Sequence, residues 1–206
     1  MVSSAEALRQ RLPAQDLTRL TLVSHQPKKL KEWVAALPMI NVGETSRQVF
    51  QTLQEISRLN IDPVARFELL EILRPTVHSL AGALSKHYLN QSVMLPDRAT
   101  KVATLAQAMQ SHLANGYKSV AVASLDRLDL HKRDVELMKL AAQAVHRAIT
   151  ELTGNLLRST QLYLNTPPRL WLELHTLYLL AAQHQLAINL RVADPVLQRQ
   201  VEKSSV

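Results

Sequence analysis

Histidines and carboxylates are the side chains of this sequence best equipped for metal ligation or proton transfer, so their spacing is the first thing to read. Eight histidines are present, yet none stands in H-E-x-x-H, the i,i+4 pair that sets two imidazoles on one helix face around zinc. The E-x-x-H pair that bundle proteins use for di-iron sites is missing too. His78, His87, His112, His146 and His175 fall on at least four separate helical stretches, which favours partly exposed or backbone-bonded imidazoles over a metal cluster. Glu68, Glu71, Asp126, Asp129, Asp134 and Glu136 lie near expected helix starts or beside basic residues, where the helix dipole and i,i+4 pairing account for them.

Other chemistries fail on composition. The four glycines, Gly43, Gly82, Gly116 and Gly154, are too far apart for a phosphate-cradling G-x-G-x-x-G loop or a P-loop. No G-x-S-x-G elbow and no cysteine is present, so neither a familiar serine hydrolase nor a thiol nucleophile fits. The lack of cysteine also removes disulfides and thiolate metal sites. The expectation is a non-enzymatic protein with no catalytic residues, no metal site and no cofactor.

Binding is the better use for such a chain. A net charge of +7 and a pI near 9.9 suit an acidic partner, an anionic lipid or nucleic acid. Lys28, Lys29 and Lys31 are the densest basic group, and His131, Lys132 and Arg133 form a second. A phosphate-tracking face can be drawn from Arg127, Lys132, Arg133, Lys139 and Arg147, with Tyr117, Tyr163 or Trp171 as base-stacking candidates. These aromatics sit on apolar faces and there is no arginine-rich run, so a solvated basic surface is the simpler account and nucleic acid the second reading. For a protein partner or self-association the candidate contacts are Lys28, Lys29, Trp33, Trp171 and Tyr178, since tryptophan and tyrosine beside charge are common interface anchors. Both tryptophans also fit as plain core residues.

The elements that would carry these residues are all helical. Leu, Ala, Gln, Glu, Arg and Lys dominate the 206 residues, and glycine is scarce. From 135 to 156, Val135, Ala142, Ile149 and Leu156 recur every seven residues, with Met138, Val145 and Leu152 in the second seam, as in a long packed helix. Shorter seams predict helices over 28–37 (Leu30, Trp33, Val34, Leu37) and 44–59 (Val49, Leu53, Ile56). Asp62-Pro63 starts another that reaches Tyr88, with Pro75 inside it predicting a kink near 71–74 or a break into two. Pro96-Asp97 opens the next, rich in small residues that allow close approach. A last helix over 169–186 turns Leu170, Leu174, Leu177 and Ala181 inward. Leu172, Leu179 and Leu180 make it apolar elsewhere too, which implies burial between neighbours or a missing partner.

The expected fold is therefore all-α, a multi-helix antiparallel bundle with a long central helix and short turns. Its parts are an amino-terminal arm over 1–27, the bundle over 28–190 and a polar, proline-broken tail over 191–206. The first residues lack a secretion signal and no run of about 18 apolar residues occurs, so a cytoplasmic protein without a membrane span is expected.

A family resemblance appears between Asn41 and Val120. The segments Asn41-Val-Gly-Glu-Thr, Leu53-Gln-Glu, Arg58-Leu, Ile61-Asp-Pro, Leu69-Leu-Glu-Ile-Leu-Arg-Pro, His87-Tyr-Leu, Leu95-Pro, Lys101-Val-Ala and Gly116-Tyr-Lys resemble the amino-terminal helical region of pseudomonad-type, atypical PilZ-associated cyclic-di-GMP receptors. The likeness extends more loosely to Leu186. It implies a signalling role in which a helical module serves a carboxy-terminal ligand domain lying beyond Val206. The PilZ ligand motifs, R-x-x-x-R and D/N-x-S-x-x-G, do not stand in this sequence: Asn90-Gln-Ser92 is followed by Leu95 where the glycine would be. No nucleotide-binding residue carries over.

Overall fold

A computed structural model describes residues 25–91, 96–128, 134–161 and 168–186. They form six helices: α1 (Pro27–Ala35), α2 (Val42–Arg58), α3 (Pro63–Gln91), α4 (Pro96–Asp126), α5 (Val135–Gln161) and α6 (Pro168–Gln183). Among the described residues there is no strand. The expected arm and tail lie outside these residues, apart from the three positions 25–27.

Each start has a local cause. Asn41 accepts the Glu44 amide at 3.2 Å through its side chain, so α2 begins at Val42, two residues ahead of the expected start at 44, and takes in Gly43. Asp62 accepts the Val64 amide at 2.8 Å and Pro63 fills the first helical position, the start signal read above. Asp134 accepts the amides of Glu136 and Leu137, both at 3.1 Å, and so caps α5. Helix α1 opens on Pro27 with no side-chain cap, and is held by Leu30, buried against α3.

Helix α4 lies at the centre, packing broadly on α3 and α5 and also on α2. Ala103, Ala106, Ala114, Gly116 and Ala121 are its buried small positions. They let neighbours approach closely. A Cβ on Gly116 would stand 3.0 Å from both Leu70 methyls, whereas one on Gly82 in α3 would meet nothing within 4 Å. Gly82→Ala should therefore stabilise the fold by about 0.5–1 kcal/mol through helix propensity. Gly116→Ala should show no such gain, because Leu70 is enclosed in the core and must move. Urea unfolding of both variants checks the contrast.

Two expectations need correction. Helix α3 runs unbroken through Pro75, so of the kink or break expected there the break does not occur. Leu73, Val77, Leu80 and Leu84 are buried on both sides of the proline, while Pro75 itself is on the exposed side, where its missing amide disturbs no packing. In α5 the strict heptad holds only toward the carboxy end. Val135 is 57% exposed, and the buried stripe at the start passes instead through Leu140, Ala141 and Ala144. A straight helix advances 3.6 residues per turn, so a 3.5-residue seam drifts off the contact line over two heptads.

Candidate functional site

A network of charged side chains joins α3, α4 and α5. Glu151 of α5 is 1% exposed, and both carboxylate oxygens are engaged: Oε1 accepts from Arg74 Nε at 2.8 Å, and Oε2 lies 2.7 Å from His78 Nε2. One turn away, Glu71 of α3 accepts the Tyr117 hydroxyl at 2.6 Å on Oε1 and Arg147 of α5 at 3.0 Å on Oε2. Tyr117 is fully buried on α4, and its ring meets Phe67 edge-on with centroids 5.7 Å apart. Burial, then the bond to Glu71, push its hydroxyl far above the ordinary tyrosine range, so it stays a donor. The acids and bases satisfy one another across a central helix, which makes the network a clasp.

Glu71 is expected near a helix start or beside a basic residue, and His78 as a partly exposed or backbone-bonded imidazole. Glu71 is in the body of α3, and His78 is one arm of the clasp. Glu151 was missed. Its signal was available: Ala144, Ala148, Glu151 and Asn155 share one inward stripe at spacings of three and four, and all four are buried. Asn155 donates to Ser111 Oγ at 2.9 Å and to the Gln107 carbonyl at 3.3 Å, extending polar packing along the α4–α5 seam.

Two histidines outside the clasp respond to burial. Desolvation lowers the pKa of His112, whose ring packs on Phe50 at 4.8 Å, and of His146, where Arg147 and Arg74 add to the effect. The folded state therefore holds fewer protons on these rings than the unfolded chain, whose histidines titrate near 6.5. Their contribution is full above that value and is lost as pH falls through the lower folded values. The denaturation midpoint should drop on going from pH 7.5 to pH 5.5, and His112→Gln should flatten that slope. An unchanged slope in the variant would refute the assignment.

The five candidate partner contacts do not form one patch. Lys28 and Lys29 are exposed on α1, which packs on α3, and Trp33 is half-buried there against the core. Trp171 and Tyr178 are half-buried on α6, which packs on α5. The outward residues of α6 are instead Leu172, 65% exposed, and Leu179, 53% exposed, seven positions apart on one face. The candidate nucleic-acid face is also divided. Arg127 pairs with Asp62, Lys139 with Glu136 at 3.0 Å and Arg147 with Glu71, while Lys132 and Arg133 lie outside the described residues. Among the described residues no three His, Asp or Glu side chains come together as metal ligands, and no helix is long and apolar enough to cross a membrane.

Six helices around a self-satisfied polar clasp, with no strand among the described residues, place the chain in the class of all-α helical bundles by its architecture. Family comparison makes this particular: residues 28–206 match the family described as the cyclic-di-GMP receptor FimW, N-terminal domain, and the chain belongs to that family. It is 42% identical over 192 residues to the cyclic-di-GMP receptor FimW of Pseudomonas aeruginosa. That alignment covers 92% of this chain and 31% of the relative, so the chain spans about a third of the relative's length. No solved structure matches it. The resemblance to cyclic-di-GMP receptor proteins read from Asn41 to Val120 is borne out.

Proposed function

We propose that this chain is a non-enzymatic interaction module of a cyclic-di-GMP signalling protein, and that the outward face of α6 is the surface it offers to a protein partner or a second copy. One observation carries the reading: Leu172 and Leu179 stand uncovered on a helix whose opposite side, Leu170, Leu174, Leu177 and Ala181, is fully used against the bundle. Two exposed leucines a heptad apart suit the i,i+7 anchors of helix docking, with Trp171 and Tyr178 flanking them. Nucleotide binding in the relative named for cyclic-di-GMP is assigned to the two thirds of its length that this chain does not match, since the PilZ ligand motifs do not stand in this sequence. A cytoplasmic setting follows from that role.

The nucleic-acid alternative has less support. A phosphate-tracking groove needs free cations, and Arg127, Lys139 and Arg147 are each tied to a carboxylate.

The test is light-scattering mass, together with capture of partners from the source cell, for the wild-type chain and a Leu172→Glu/Leu179→Glu variant. Because both leucines are exposed, the variant should keep its circular dichroism and lose association. Equal association in both proteins would reject the α6 assignment. Tight binding of cyclic-di-GMP to the 206-residue chain alone would reject the division of labour.

A further inference from the structure

We propose that α1 and the turn after it form a docking surface for an anionic lipid bilayer, a role independent of the α6 face. Three observations converge on it.

The first is an apolar knuckle. Ile40 is 98% exposed and Met39 beside it is also exposed, at the turn between α1 and α2. This turn is fixed on both sides. The Pro38 carbonyl accepts the Thr45 hydroxyl at 2.6 Å, and Asn41 caps α2 through its side chain. With both flanks held against the start of α2, Met39 and Ile40 project outward and stay uncovered.

The second is charge. Lys28, Lys29 and Lys31 are all exposed on α1, and among the described residues none of them joins an ion pair. Elsewhere on the bundle Arg47, Arg74, Arg127, Lys139, Arg147 and Arg169 each face a carboxylate within 4 Å. Glu32 is the one acid of α1.

The third is continuity. Leu30 anchors the inner side of α1, with Trp33 and Val34 packed on the core, while Ala35 and Ala36 lead along the exposed side from the lysines to the knuckle. At 1.5 Å per helical residue, Lys31 and the knuckle are roughly 10–15 Å apart, a span over which both can meet one flat surface. A convex apolar tip beside a basic helix face matches a headgroup layer, which takes in apolar side chains and concentrates lysines. A protein partner would need a pocket shaped to the tip.

The experiment is co-sedimentation of the full 206-residue chain with vesicles of phosphatidylglycerol and phosphatidylethanolamine, against vesicles of phosphatidylcholine alone, at low and high salt. Wild type should sediment with the anionic vesicles at low salt, be released by high salt, and ignore phosphatidylcholine. Lys28→Gln/Lys29→Gln/Lys31→Gln should weaken binding by roughly 100-fold, from the usual contribution of each lysine near an anionic surface. Ile40→Ser should weaken it by about tenfold or more. Lys86→Gln, an exposed lysine on α3, should change nothing. These exposed positions leave the fold intact, which circular dichroism confirms in the same samples. Failure of wild type to sediment, equal binding to phosphatidylcholine, an Ile40→Ser variant as tight as wild type, or a triple lysine variant as tight as wild type would each overturn the proposal.

Discussion

Glu151→Ala should destabilise the bundle by about 3–5 kcal/mol, the usual cost of removing one member of a buried ion pair. For a chain of this length that corresponds to a fall in Tm of roughly 10 °C. The carboxylate is enclosed, and it is the partner of both Arg74 and His78. Its loss leaves the Arg74 guanidinium and the His78 ring without the acceptor they share between α3 and α5. Replacing the whole set with apolar residues, as Glu151→Leu/Arg74→Met/His78→Leu, should cost much less than the single change, because no group is left without its counterion. Thermal unfolding of both variants decides the matter. A Tm within 2 °C of wild type for Glu151→Ala would show that the clasp adds nothing to stability.

Tyr117→Ala should cost a similar amount, about 3–5 kcal/mol, for a different reason: a fully buried ring is removed from the middle of the central helix, leaving a cavity beside Phe67. Tyr117→Phe isolates the hydroxyl. It keeps the packing and withdraws one donor from Glu71, which retains Arg147, so the expected loss is only about 1–2 kcal/mol. Urea titrations of the two variants, with Glu71→Gln completing a double-mutant cycle, separate the cavity from the hydrogen bond. Equal losses for alanine and phenylalanine would contradict the division.

The helices were legible because their signals are local. Asp62-Pro63 announces a start through an oxygen that reaches the amide two residues on, and seams such as Val49, Leu53 and Ile56 need only a period. The inner side of α6 was legible for the same reason, and so was the surplus of leucine on its other sides. The clasp was not. Glu71 and Arg74 stand only three apart, whereas each bonds a residue more than 70 positions away, which no local spacing announces. A carboxylate looks solvated until the residues above and below it on the stripe are seen to be buried. The knuckle was missed for the opposite reason: Met39 and Ile40 look like ordinary apolar residues, and only the fixed turn shows that they have nowhere to hide.

The order of charges in the clasp has a mechanical consequence. Helix α3 presents acid then base, Glu71 then Arg74, while α5 presents base then acid, Arg147 then Glu151. If α5 slid along α3 by about one turn, roughly 5.4 Å, one direction would set Glu71 against Glu151 and the other would set Arg74 against Arg147. Either slip replaces attraction with repulsion, so the pair behaves as a detent that favours a single longitudinal setting. A pull on α6, which is mounted on α5, would then be passed through the bundle as the displacement of a rigid body.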